Sequence, residues 1–324
     1  MKKDRYILIT GAAGFIGFHV AKNLLAKKKK LILVDNLNKY YDQKLKKKRI
    51  KELRRIDKNV IFKKQDISNY KKLLQIFSTY KIDKVINLAA QAGVRYSIKK
   101  PEVYFKTNLL GFFNILECIK KFKIKKLVYA STSSVYGDTS ASPLNENLPA
   151  NNPIQFYAVT KSSNELMAKA YSKIYNFKAI GLRYFTVYGP WGRPDMALFK
   201  FTKNILSKKP IEVFNYGNHF RDFTYIDDVS KATVIALSLK IKNNHEIFNI
   251  GKGKSNSLRE YIKQIEKNLK IQSKKKYLKL QTGDVKSTHA SNQKFFKYSK
   301  FKPNIGIEYG IKKFIEWYRW YYKK

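Results

Sequence analysis

The chain has 324 residues, 44% of them hydrophobic, enough for one large α/β unit plus a smaller one and too apolar for wholesale disorder. Its formal charge is +44, yet the lysines are spread in short runs (Lys27 to Lys30, Lys46 to Lys48, Lys274 to Lys276) with no arginine-aromatic motif or zinc-ligand spacing, which argues against nucleic-acid binding and a metal site. The single cysteine, Cys118, excludes an internal disulfide framework, and no stretch nears the roughly 20 apolar residues of a membrane span, so the expectation is a cytoplasmic protein without membrane insertion.

Strand-like and helix-like segments alternate through the first half, the pattern of a parallel sheet covered by helices. Arg5 to Thr10 reads as the first strand, Phe15 to Leu25 as a helix, and Leu31 to Asp35 as a second buried strand. Further strands are predicted at Val60 to Asp66, Lys84 to Ala90, Lys126 to Thr132 and Ala179 to Phe185, with a helix from about Tyr157 to Tyr175. After Gly189 the texture changes to loops and short elements, followed by a helix over Asp227 to Lys240, a strand in HEIFNIG and an amphipathic carboxyl-terminal helix. The fold class is therefore α/β, a Rossmann-type doubly wound parallel sheet with a smaller α/β carboxyl-terminal substrate lobe. The division expected is residues 1–186 plus about 227–250 for the dinucleotide-binding part, and about 187–226 plus 251–324 for the lobe.

The first strand runs into GAAGFIG, with glycines at Gly11, Gly14 and Gly17. Glycine permits the tight turn, the approach of backbone amides to a pyrophosphate and close packing of the helix on the strand. The second strand ends in Asp35, eighteen residues past Gly17, where a carboxylate can bind the ribose hydroxyls and would repel a 2′-phosphate. This order favours NAD over NADP. Asp66, closing the third strand, is placed to meet the adenine together with Ile67.

YAVTK puts Tyr157 and Lys161 one helical turn apart on one face. A free phenol has a pKa of about 10 and is a poor base, whereas a neighbouring ammonium stabilises the phenolate. A hydroxyl cluster, Ser131 to Ser134, closes the strand 25 residues upstream of Tyr157, at the edge where open α/β sheets bind ligands. Those hydroxyls can hold a substrate oxygen or simply form a turn.

GAAGFIG, Asp35, NLAAQAGVRYS, YASTSSVYG, YAVTK and RYFTVYGP together resemble the extended short-chain dehydrogenases over essentially the whole chain. More narrowly, DNLNKYYDQKLKKKRI, TVYGPWGRPDMALFKFTK and YGNHFRDFTYIDDV resemble the UDP-glucuronate 4-epimerases. The resemblance implies a tightly held, recycled NAD contacted by Gly11, Gly14, Phe15, Ile16, Gly17, Asp35, Asn36, Asp66, Ile67, Ala89, Tyr157 and Lys161. It implies Thr132, Tyr157 and Lys161 as the catalytic residues, Tyr157 taking the proton of the sugar 4-hydroxyl and Lys161 tuning it. It further implies that Thr132, Ser133, Ser134 and Arg193 hold the sugar carboxylate, that Arg221 and Asp284 lie near the nucleotide, that Arg95 binds in the same cleft, and that the enzyme is a homodimer. A structural ion pair with Asp195 is the competing reading of Arg193. Phe18, Asn87 and Ser291 depart from the family pattern.

The function expected is inversion at carbon 4 of UDP-glucuronate through a transient 4-keto sugar. Epimerisation of another UDP-hexose and decarboxylation of UDP-glucuronate are the rivals within the family. A dehydratase would want an acidic pair beside the cluster, which here is Thr132, Ser133 and Ser134 with no Asp-Glu, and an intact motif set has little reason to persist in a catalytically silent scaffold.

Overall fold

The computed structural model describes residues 5–323. In chain order, its first part comprises β1 (Tyr6–Thr10), α1 (Phe15–Ala26), β2 (Leu31–Asp35), α2 (Gln43–Ile56), β3 (Ile61–Lys64), α3 (Tyr70–Thr79) and β4 (Ile82–Asn87). Next come α4 (Val94–Lys99), α5 (Pro101–Tyr104), a π-helical turn (Phe105–Leu110), α6 (Gly111–Lys121), β5 (Lys126–Thr132), α7 (Phe156–Ile174), β6 (Lys178–Tyr184) and β7 (Thr186–Tyr188). The remainder holds α8 (Ala197–Leu206), β8 (Ile211–Phe214), β9 (Phe220–Tyr225), α9 (Ile226–Ser238) and β10 (His245–Ile250). It ends with β11 (Ser255–Ser257), α10 (Leu258–Leu269), β12 (Lys275–Leu278), α11 (Gln293–Ser299) and α12 (Ile307–Tyr322).

Seven strands form one parallel sheet in the order β10-β6-β5-β4-β1-β2-β3. Central strands of such a sheet are covered on both faces and should be apolar throughout. β2 obeys this, with all five residues of LILVD buried. The chain starts in the middle at β1, winds outward to β3, then returns through β4 to the other side. The reversal between β1 and β4 is the topological switch point, where ligands bind beyond the strands' carboxyl ends. α1 is buried nearly all round because it packs against both the sheet and α9.

The expected helix over Asp227 to Lys240 is α9, and the strand in HEIFNIG is β10, which closes the sheet beside β6. The third strand is shorter than predicted: β3 covers only Ile61–Lys64, with two exposed lysines at the sheet edge. A second sheet, β11-β9-β7, and a β12-β8 pair stand above the carboxyl edge. Aromatic side chains weld this upper layer together, Phe223 stacking on Tyr261 at 3.9 Å and Trp191 meeting Trp317 at 5.5 Å.

Candidate active site

Two open cavities sit above the carboxyl edge. The first offers about 240 Å³ and is lined by Gly11, Gly14, Phe15, Ile16, Gly17, Asp35, Asn36, Asp66, Ile67, Ala89, Thr132, Tyr157, Lys161 and Arg193. Gly11 has φ +67°, and a Cβ there would lie 2.6 Å from the Ala89 nitrogen. Gly17 crosses so close to Gly11 that a Cβ would reach its carbonyl oxygen. Thus the turn accepts no side chain at either place. α1 begins at Gly14 with no side-chain cap, so its first amides remain available to a phosphate.

Asp35 is buried and accepts hydrogen bonds from the Ala13 and Leu37 amides at 3.0 and 2.8 Å. Burial pushes its carboxyl up, against the pull of those amides, Lys46 and Arg49. Asp66 bonds to Asn36 at 2.9 Å and to Ser68; these contacts and Lys106 outweigh burial and hold its carboxyl below the ordinary range. The ends of β2 and β3 are thereby joined under one rim of the cavity.

Tyr157 and Lys161 project from the first turns of α7 into this cavity. Lys161 Nζ donates to the Ala130 carbonyl of β5 at 2.8 Å. Burial lowers its ammonium to about 8, with Glu165, one turn further along, opposing the change. Burial also raises the Tyr157 phenol above its usual value, while the Arg193 charge and the Thr132 hydroxyl pull it down. Arg193 thus adds a cation near the phenol that the reading of YAVTK, with Lys161 in that task, did not include.

Arg193 forms the ion pair weighed from the sequence, with Nε and Nη2 donating to Asp195 at 3.0 and 2.5 Å. It nevertheless lines the cavity with Tyr157, so the pair and the substrate-facing position coexist. The second cavity, about 570 Å³, is lined by Ser133, Ser134, Gln155, Arg221, Asp284 and neighbouring loop residues. It adjoins the first where Thr132 passes into Ser133. Arg221 is folded into the 284–286 segment, donating to Asp284 at 2.8 Å and to the Val285 and Lys286 carbonyls. Arg95 approaches the same carboxylate at 3.5 Å and lies over the Phe214 ring. His219 is buried beside this cluster, its Nε2 3.9 Å from the Asp284 carboxylate.

Several residues at the site were not singled out from the sequence. Arg49 is fully buried and ties the Ala13 carbonyl of the glycine turn to the Trp191 and Gly192 carbonyls before Arg193. Lys46 lines the first cavity, donates to Asn38, and is lowered by burial to about 8. Tyr40 donates to Asp195 at 3.1 Å. Glu165 accepts from Ser131 and forms a buried pair with Arg183. The first three belong to DNLNKYYDQKLKKKRI, but two useful cations inside a run of surface lysines carry no local mark. Of the departures, Asn87 accepts the Thr10 hydroxyl at 2.6 Å, and Phe18 packs on Trp191.

A family model described as the NAD dependent epimerase/dehydratase family matches residues 7–251. The chain belongs to this family. It is 45% identical to Protein CapI of Staphylococcus aureus over 98% of this chain and 99% of that protein. It is also 44% identical to the UDP-glucuronate 4-epimerase of Thermodesulfobacterium geofontis, over 96% of this chain and 95% of the relative. The structure resembles the crystal structure of UDP-glucuronic acid 4-epimerase from Bacillus cereus in complex with UDP-glucuronic acid and NAD. The TM-score is 0.90 at 36% identity, covering 98% of this chain and all (100%) of that one. Membership of this family and the NAD-type turn point the same way. No helix among the described residues is long and apolar enough to cross a membrane.

Proposed function

We propose that this protein is an NAD-dependent UDP-glucuronate 4-epimerase that interconverts UDP-glucuronate and UDP-galacturonate. The observation that carries the reading is Arg193 beside Tyr157 in the cavity that begins at the glycine turn. A guanidinium suits a planar carboxylate, and a neutral hexose would leave it without an anionic partner.

The uncapped start of α1 and the Cβ-free turn at Gly11 fit a dinucleotide diphosphate, with Asp35 and Asn36 at its ribose and Asp66 and Ile67 at its adenine. Bound there, NAD would supply a two-electron acceptor for the hydride of carbon 4 and its return to the opposite face of the sugar. Tyr157 removes the 4-hydroxyl proton and gives it back after the flat 4-keto sugar has turned. Thr132, closing β5 in the same cavity, holds that oxygen. Lys161, anchored on Ala130, keeps a positive charge under the phenol and the nicotinamide ribose. Arg193, with Ser133 and Ser134, holds the sugar carboxylate so that its bond to carbon 5 stays out of line with the carbonyl, which suppresses loss of carbon dioxide. Arg221, Asp284 and Arg95, in the lobe of residues 187–226 and 251–324 and the adjoining cleft, bind the nucleotide end.

The reading includes a cytoplasmic homodimer. Phe105, Leu110 and Phe113 around the start of α6 and Val159 and Leu166 on α7 are large apolar side chains left exposed on neighbouring helices. A second copy that buries them is supported by that exposure, and Leu166→Glu should yield monomers in sedimentation velocity.

The deciding experiment incubates the purified protein with UDP-glucuronate and no added NAD, and identifies products by proton NMR. UDP-galacturonate is the expected product. A UDP-pentose would replace the reading by decarboxylation, and no turnover even with added NAD would overturn both.

A further inference from the structure

We propose that Asp195 and Tyr40 form a clamp that aims Arg193 at the acid group of the sugar, making them positioning residues for substrate selection. The proposal rests on the UDP-glucuronate reading above.

An arginine that reads a carboxylate must be charged, held in one rotamer and left with a free donor edge. Arg193 meets the requirement through its neighbours. Asp195 takes the Nε and Nη2 donors side-on, at 3.0 and 2.5 Å, so the pair itself leaves Nη1 unused. That fork-to-carboxylate geometry fixes the plane of the guanidinium as well as its position. Tyr40 locks the other side of the clamp by donating its hydroxyl to Asp195 at 3.1 Å. Burial and the Asp195 charge push the Tyr40 phenol up to about 12, so it stays a donor over the working pH range.

The backbone beneath is held as firmly. Arg49 grips the Trp191 and Gly192 carbonyls, and the Met196 amide donates back to Arg193 at 3.2 Å. The segment that carries Tyr40 and Arg49 starts at Asn36, beside the Asp35 carboxylate. It therefore spans from the cofactor rim to the arginine loop. Asp195 is too well paired to act as a mere competitor for the guanidinium. Exchanging a side-on pair for an incoming carboxylate would strand a partly buried acid, since the Asp195 side chain is only 27% exposed. The sugar acid instead adds to the edge left over.

The test measures KM and kcat for UDP-glucuronate in the wild-type enzyme, in Tyr40→Phe, Asp195→Asn and Arg193→Met, and in the Asp195→Asn/Arg193→Met double variant. Loss of one rotamer restraint on an arginine predicts a KM raised about tenfold in Asp195→Asn and roughly threefold in Tyr40→Phe, with kcat changed far less. The double variant should be no worse than Arg193→Met alone, because the clamp has no other purpose. A lower KM in Asp195→Asn would make the acid a competitor and overturn the proposal. Additive losses in the double variant would overturn it too, assigning Asp195 to structure. Should Asp195→Asn fail to fold, Tyr40→Phe decides, an unchanged KM counting against the clamp. A wild-type enzyme that ignores UDP-glucuronate would instead break the functional reading itself.

Discussion

The two cavities meet at the end of β5, yet they are built by different rules. The first is lined at successive strand ends: Gly11 after β1, Asp35 at the end of β2, Asp66 after β3, Leu88 and Ala89 after β4, Thr132 at the end of β5 and Tyr184 at the end of β6. A parallel sheet brings every carboxyl end to one edge, so topology alone assembles this cleft. The second depends on the 133–144 loop, Arg221 of β9 and the 283–289 segment. Its central pair, Arg221 and Asp284, is 63 residues apart and lies outside the main sheet. On the proposed function, chemistry rests on the rigid scaffold, and recognition of the nucleotide rests on contacts between β9 and the loops around it.

The largest expected effect lies in the first cavity. Tyr157→Phe removes the proposed general base while leaving the ring in place, and should lower kcat by about 10³-fold. Circular dichroism should show an intact fold and NAD should still bind. A variant with substantial turnover would move the proton transfer elsewhere and erase the division of labour between the cavities.

Glu165→Gln probes what lies behind that cavity. Its carboxylate is the counter-charge of buried Arg183, whose Nη2 lies 2.7 Å away. Leaving a buried guanidinium unpaired costs roughly 3–5 kcal/mol, readable by denaturant unfolding. The same change alters Lys161. Its folded value of about 8 lies below the ordinary lysine value of 10.5, because burial outweighs Glu165. Between those values the unfolded chain holds a proton that the folded chain lacks, so this group's contribution to stability rises with pH across that window. Without Glu165 the window opens at lower pH, and the alkaline limb of kcat/KM should move down by about one unit. An unmoved limb would separate Glu165 from Lys161.

How much of each cavity could be read in advance follows the same division. The glycine turn, Asp35, Asp66, Thr132 and the Tyr157–Lys161 pair were legible because each falls at a strand end or on one helical face, where spacing in the chain is spacing in the molecule. Arg49 and Lys46 were not, since nothing local distinguishes a buried cation from the surface lysines of KLKKKRIK. Glu165 and Arg183 were invisible for another reason. One sits on α7 and the other on β6, and only packing of the helix over the sheet makes them partners. For Arg193 the sequence offered both an ion pair and a ligand, and the structure provides the pair within the ligand cavity.

Arg221→Met carries the comparison into the second cavity. Arg221 is the hub of the 284–286 segment, so its loss should loosen that wall and raise KM about tenfold with kcat little changed. A fall in kcat as large as that of Tyr157→Phe would mean that the two cavities act as one.

The smallest effect is also the sharpest test of where the boundary lies. Thr132 lines the first cavity, whereas Ser133 and Ser134 line the second. Thr132 accepts the Ser134 amide and donates to the Ser134 hydroxyl, both at 3.2 Å, so the turn itself engages part of this cluster. If the serines also hold the sugar acid, Ser133→Ala and Ser134→Ala should each raise KM about three- to tenfold and increase the share of UDP-pentose among the products, because a less restrained carboxylate departs more easily. If they serve only the turn, a modest loss of thermal stability should appear with KM and product ratio unchanged. The product ratio is the decisive readout, because turn stability has no means of altering it. A pentose share that rises for one serine alone would mark that hydroxyl as the carboxylate's partner and draw the line between the cavities through a single residue.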